Sequence, residues 1–378
     1  MPFVLVHRHT ALWALSLLAV LQTTRAAPAL QDNHASSQVR KSCIARKDSV
    51  RRRRVHLSLL VPTMAHPYND YLILFMPLFL QRHRSAQLAV FLFLALLAAV
   101  CAHSQERADC RAFHSALLHS SVRYCVYLPA SYSAADAKTR KYPVLYLLHG
   151  LGGNEQSMAL DGEWTELQDL RREHKVGEFL VVAPDGWDTF YINSRDGKTP
   201  YGDFFLREFI PQIEHTYRIR TERAARGITG FSMGGYGALR IAFAHPELFG
   251  SVSAHSGALM RAPPQGVSAG ASSGNPAAEL LARVFGNPID LRFWDLNSPF
   301  VLARKNAASP MKMKIYFDCG TEDSYGFYRG ANELHETLDS LKIPHEFHLY
   351  PGGHRVSYLL AHRDTSFEFH WREFSLAR

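Results

Sequence analysis

The chain has 378 residues, of which 47% are apolar and 20% charged, and a formal net charge of +8. That balance excludes a disordered chain and supplies apolar side chains for one large core or two ordinary ones. The net charge raises the question of a polyanionic partner, but its distribution answers it. Residues 1–102 hold 12 Lys/Arg against 3 Asp/Glu, whereas residues 103–378 hold 30 against 31. The basic character belongs to the first quarter alone, so nucleic acid is not an expected partner.

That quarter has no folded-domain pattern. Residues 40–54 form a basic block ending in four consecutive arginines, without helical or strand periodicity. An apolar stretch from Ala11 to Leu21 precedes it. A second apolar stretch follows Met76, where Arg82 and Arg84 lead into a run from Leu88 to Val100 and then Cys101-Ala102. Basic, apolar and small-residue zones in that order predict a secretory signal peptide over 76–102, cleaved after Ala102. The run is shorter than the roughly 20 residues of a membrane-spanning helix. Membrane contact is therefore expected only if residues 87–101 are retained. Cys101 offers a lipidation alternative, although Val100 before it suits a lipobox poorly. Because signal peptides begin chains, Met76 is the expected initiator and residues 1–75 a non-native or disordered extension. The rival reading is a true extension carrying its own signal-like segment.

Beyond Ala102 the cysteines are Cys110, Cys125 and Cys319. The first two flank a predicted hairpin with strands near 110–117 and 122–129. An oxidising compartment would permit a disulfide there, while spacing alone leaves open whether the two Cβ atoms face each other.

Residues 103–378 are expected to form a single α/β domain. Strands are predicted at Val122 to Leu128, Pro143 to Leu148, Phe179 to Ala183, Gly227 to Phe231, Val252 to His255, Met313 to Phe317 and Phe347 to Tyr350. Helical patterns lie near 202–216, 233–244 and 326–341. The alternation predicts a mostly parallel central sheet with helices on both faces. Residues 262–277 are rich in Gly, Pro, Ser and Ala and are predicted to form a loop.

The strongest chemical signal is Gly230-Phe231-Ser232-Met233-Gly234, directly after a strand and before a helix. A sharp strand-to-helix turn needs glycine at both flanks and lifts the serine hydroxyl to the end of the sheet. Ser232 is the expected nucleophile, and it needs a base and an orienting acid. The acid candidates after Met313 to Phe317 are Asp318, Glu322 and Asp323, with Asp323 preferred in the loop beyond Gly320. Among 20 histidines, His354 stands out because it follows the last predicted strand in Tyr350-Pro351-Gly352-Gly353-His354. His335, His345, His348, His362 and His370 are expected to be surface or packing residues. Oxyanion donors are expected from the N–H groups of Leu151, in His149-Gly150-Leu151-Gly152-Gly153, and of Met233. His149 itself is expected to be structural. Trp187, Phe190 and Tyr191 follow a strand end, where Trp187 and Tyr191 are candidate substrate-binding residues for a sugar or phenolic group. No metal-spacing or nucleotide-binding motif is present, and no metal or cofactor is expected.

These residues resemble the esterase D-like family of α/β-hydrolases, which includes secreted feruloyl and acetyl-xylan esterases, S-formylglutathione hydrolases and mycolyltransferases. The resemblance runs from about Cys110 to Phe374. It rests on Val126-Tyr127-Leu128-Pro129, Leu148-His149-Gly150, the Ser232 motif, His245-Pro246-Glu247-Leu248-Phe249, Gly320-Thr321-Glu322-Asp323 and Pro351-Gly352-Gly353-His354. It implies an α/β-hydrolase fold and a secreted serine carboxylic-ester hydrolase with Ser232 as nucleophile, Asp323 as acid and His354 as base. The implied substrates are acyl or feruloyl esters of carbohydrates or small alcohols. An acyltransferase of the mycolyltransferase type and an S-formylglutathione hydrolase-like thioesterase are the alternatives. The first uses a glutamate as acid, where Asp323 fits better here. The second carries Ser-Pro-Arg-Gly where this chain has Asp185-Gly186-Trp187-Asp188.

Overall fold

The computed structural model describes residues 105–264, 276–306 and 312–376. The expected extension 1–75, the expected signal peptide 76–102 and most of the predicted 262–277 loop lie outside the described residues. Among the described residues, no helix is long and apolar enough to cross a membrane.

Eight strands form one sheet: β1 (Arg107–Ser115), β2 (Ser120–Leu128), β3 (Val144–Leu148), β4 (Leu180–Pro184), β5 (Arg226–Phe231), β6 (Ser251–His255), β7 (Lys314–Gly320) and β8 (Glu346–Tyr350). Their order is β1-β2-β4-β3-β5-β6-β7-β8. The β1–β2 and β2–β4 pairs are antiparallel, and the remaining pairs are parallel. Every residue of β3, β4 and β6 is buried; β3 and β4 are accordingly continuous apolar runs, whereas β6 buries Ser251, Ser253 and His255 among polar partners. By contrast, β8 closes one edge and is largely exposed.

Side chains alternate between two cores because successive Cβ atoms leave opposite faces of a strand. Val144, Tyr146 and Leu148 point into the larger core, whereas Leu145 and Leu147 point into the smaller. At the far edge, the β1–β2 register sets Cys110 opposite Cys125, and a disulfide joins them.

The helices, in chain order, are α1 (Ser157–Leu160), α2 (Glu163–Arg172), α3 (residues 201–216), α4 (Met233–Ala244), α5 (Pro276–Phe285), α6 (Leu291–Leu296), α7 (Pro299–Asn306), α8 (Phe327–Ser340) and α9 (Val356–Leu376). The predicted helix near 202–216 is not uniform, because Phe205–Phe209 forms a π turn within α3. Phe204, Phe205 and Phe209 all bury completely around this wider turn. Residues of α3, α4, α7 and α8 fill the larger core, and α2 and α9 cover the smaller.

The covering by α9 is partly polar. Arg363 is fully buried against Glu163 of α2 and donates to Thr229 Oγ1 at 3.0 Å. His370 lies between Ser251 Oγ, at 2.7 Å, and Ser253 Oγ, at 2.9 Å.

Candidate active site

Ser232 sits at the end of β5 and caps the start of α4 with φ 56° and ψ −116°. A non-glycine residue pays for such a backbone only where its surroundings hold it there. Here the Ser232 N–H donates to the His255 carbonyl at 3.0 Å, and the Ser232 carbonyl accepts from Ala258 N–H at 2.9 Å. The flanking glycines are steric requirements. A Cβ on Gly230 would collide with the Gly234 backbone, and one on Gly234 with the Leu148 carbonyl. The turn can close only with glycine at both places.

Two loops beyond the sheet meet the serine. His354 Nε2 is 2.8 Å from Ser232 Oγ, and His354 Nδ1 is 2.7 Å from Asp323 Oδ2. Asp323 is buried, and its Oδ1 accepts the Tyr325 N–H at 2.9 Å. The two loops are tied together by main-chain bonds. Thr321 N–H donates to Tyr350 C=O and Glu322 N–H to Gly352 C=O, both at 2.8 Å. The imidazole of His354 stacks on Phe231 at 4.9 Å, with Tyr325 and Phe327 edge-on at 4.9 and 5.4 Å. Three rings thus restrict its rotation.

Of the other acid candidates, Glu322 is exposed. Asp318 is buried and engaged elsewhere. It faces His255 Nδ1 at 2.8 Å and accepts from Tyr316 and Tyr358 hydroxyls at 2.8 and 2.9 Å. Burial works against its charge, yet His255 and the two hydroxyls hold its pKa below the usual carboxylate value.

The 149–153 loop lies against the serine: a Cβ on Gly150 would come 3.4 Å from Ser232 Cβ. Leu151 follows it at the mouth of the site. Met233 opens α4, whose first main-chain bond runs from Tyr236 N–H to Ser232 C=O. The Met233 N–H therefore precedes the helical ladder, at the positive end of the helix dipole. His149 is buried and fully engaged. Its Nε2 accepts the Gly186 N–H at 2.7 Å and its Nδ1–H donates to the Gly150 carbonyl at 2.8 Å. Those contacts fix the loop, and the ring does not reach Ser232.

Ser232 and His354 open onto a cavity of about 340 Å³ lined by Leu151, Met233, Phe190, Phe231, Met260, Leu280, Leu281, Tyr325 and Phe327, among others. The structure corrects the expectation for Trp187 and Tyr191. Tyr191 is completely buried, and its hydroxyl donates to the His149 carbonyl at 3.1 Å. Trp187 lines a neighbouring cleft with Asp188, Ile192 and Arg283. All three aromatic residues of this loop have positive φ. That compact winding turns Phe190 alone into the Ser232 cavity and packs Tyr191 beneath it. Tyr325, Phe327 and the leucines of α5 were not singled out from the sequence. The i, i+2 aromatic pair Tyr325 and Phe327 just after Asp323 is the sequence signal that could have found the first two.

Residues 115–363 match the model of the family described as "Putative esterase". An esterase of Mycobacterium tuberculosis is 31% identical over 252 residues, covering 61% of this chain and 51% of that protein. The chain thus spans about half the length of that curated relative. An endo-1,4-beta-xylanase/feruloyl esterase of Xylanibacter ruminicola is 34% identical over 130 residues, covering 33% of this chain and 18% of that protein. Among solved structures, a ferulic acid esterase superposes with a TM-score of 0.60 at 26% identity, covering 71% of this chain and 99% of its own. With the sheet order, the strand-to-helix turn at Ser232 and a family match across most of the described residues, the chain belongs to the Putative esterase family and has the α/β-hydrolase fold.

Proposed function

We propose that the chain is a serine carboxylic-ester hydrolase that works through an acyl-enzyme. The observation that carries this reading is the unbroken chain of contacts from Ser232 Oγ through His354 to Asp323, opening on an apolar cavity. His354 Nε2 takes the hydroxyl proton as Ser232 Oγ attacks the ester carbonyl, and Asp323 stabilises the resulting imidazolium. The N–H groups of Leu151 and Met233 receive the oxyanion. His354 then protonates the leaving alcohol, and water, activated by the same imidazole, releases the acid.

The cavity wall supports an apolar or aromatic acyl group on a carbohydrate or small alcohol. Phe190, Phe231, Tyr325 and Phe327 offer ring faces and edges to a phenolic acid, and the feruloyl esterase relatives fit that class. We further read the chain as exported by the 76–102 segment, with 103–378 as the working domain and 1–75 outside it. The Cys110–Cys125 disulfide favours an oxidising compartment.

Ser232→Ala should lower kcat on an aryl ester at least about ten-thousandfold without changing the thermal midpoint. Residual activity above about one per cent, after contaminating esterases are removed, would take Ser232 out of the mechanism. A panel of feruloyl, acetyl-xylan, p-nitrophenyl and S-formylglutathione substrates ranks the acyl classes, and product analysis with a sugar acceptor separates hydrolysis from acyl transfer.

A further inference from the structure

We propose that His335, Asp339 and His345 bind a divalent first-row transition-metal ion. Their donor atoms all lie within 4.8 Å of one another. His335 and Asp339 stand one turn apart on α8, and His345 follows in the connection to β8. His335 Nδ1 is 2.8 Å from His345 Nε2, His345 Nε2 is 3.9 Å from Asp339 Oδ1, and His335 turns its other ring nitrogen, Nε2, to Asp339 Oδ2 at 3.5 Å. Those separations straddle the roughly 3.4 Å between ligands that tetrahedral coordination at about 2.1 Å requires. Two ring nitrogens facing each other at 2.8 Å can share one proton or one metal ion, and a metal satisfies both lone pairs.

The outer contacts fit the same reading. His345 Nδ1–H donates to the Ile343 carbonyl at 2.8 Å, which leaves Nε2 as the bare donor aimed at the cluster. A backbone carbonyl on the far ring nitrogen is the usual orienting partner of a metal-bound histidine. Ring stacking holds both imidazoles: His345 on Phe317 at 5.8 Å and His335 on Phe347 at 4.7 Å. The His345 side chain is 3% exposed whereas that of Asp339 is 63% exposed, giving a fixed floor and an open side for entry and for a water ligand. Two imidazoles and one carboxylate suit Zn²⁺ and its neighbours better than Mg²⁺ or Ca²⁺. The cluster lies where the chain enters β8, at the opposite end of that strand from the His354 loop, so it does not depend on the esterase reading.

The test is calorimetric titration of the full, untagged chain with ZnCl₂, repeated on His335→Gln and Asp339→Asn, with Co²⁺ spectra in parallel. One site is expected, weakened at least about tenfold by His335→Gln and several-fold by Asp339→Asn. Co²⁺ should give visible bands that require correspondingly higher metal to saturate in both variants. Ester hydrolysis in metal-free buffer should stay within about twofold of the parent, showing that both variants fold. Absence of saturable binding below about 1 mM, or affinity unchanged in both variants, would overturn the proposal.

Discussion

Lowering the pH from 7 to about 5.5 should weaken the fold through His370, a fully buried residue remote from the reacting atoms. Its two ring nitrogens contact Ser251 Oγ at 2.7 Å and Ser253 Oγ at 2.9 Å. Ser253 gives its own hydroxyl proton to Thr229 at 2.6 Å, so its oxygen accepts the His370 Nε2–H. His370 Nδ1 is then the acceptor for Ser251, and the network is complete with a neutral ring. A second proton would place a cation in the core close to the Arg363 guanidinium, which donates to the same Thr229 hydroxyl. Burial first, and then Arg363 and His255, hold the His370 pKa well below its ordinary 6.5. Below pH 6.5 the unfolded chain takes up a proton that the folded chain refuses. The stabilisation is therefore complete above pH 6.5 and is lost as the pH falls. From pH 7 to 5.5 the loss is about 1.2 kcal/mol for this one group. His255, whose pKa burial also lowers, adds in the same direction. Urea unfolding across that range should show the parent losing about 1.2 kcal/mol more than His370→Gln, which keeps one donor and one acceptor without the titration. Equal losses in the two proteins would refute the reasoning.

Asp323→Asn should cut kcat on an aryl ester roughly a thousandfold or more while leaving KM within a few-fold, because the amide no longer fixes the His354 tautomer. A pre-steady-state burst of unchanged rate would contradict that. Replacing both Cys110 and Cys125 by serine reopens a link of sequence separation 15 and should cost about 3 kcal/mol, read from urea midpoints. Arg363→Met should destabilise by about 3–5 kcal/mol, because Glu163 would be left as an unpaired buried carboxylate. The double variant Arg363→Met with Glu163→Leu should recover much of that loss.

The sequence made the sheet legible wherever a strand is buried on both faces. Leu145 to Leu148 and Leu180 to Ala183 carry their own signature, since helices on both sides leave no polar position. The edge strand β8 has a weaker signature because it is short and largely solvated, so polar residues break its apolar run. Ser232, Asp323 and His354 could be placed because each follows a strand end in a fixed order, with glycines that only a tight turn explains. Trp187 and Tyr191 were misplaced because strand periodicity locates a loop without giving its winding. Positive φ at Trp187, Phe190 and Tyr191 inverts which ring faces the cavity. His335 and His345 were set aside for a related reason. Ten residues separate them in sequence, and only the close of α8 onto β8 brings their nitrogens together.

The two main-chain bonds that run side by side between the Thr321–Glu322 and Tyr350–Gly352 segments make a bracket that ties the acid loop to the base loop. Ser232 stands on a different support, the elbow between β5 and α4. Of the two separations in the relay, Asp323 to His354 is internal to the bracket and Ser232 to His354 is the joint between bodies. Asp323 follows β7, which is paired on both sides, whereas His354 follows β8, which has a neighbour on one side only, so any slackening of β8 strains the bracket and draws the imidazole from the serine. Warming or mild denaturant should therefore displace the base first, and activity should fade before the central sheet gives way.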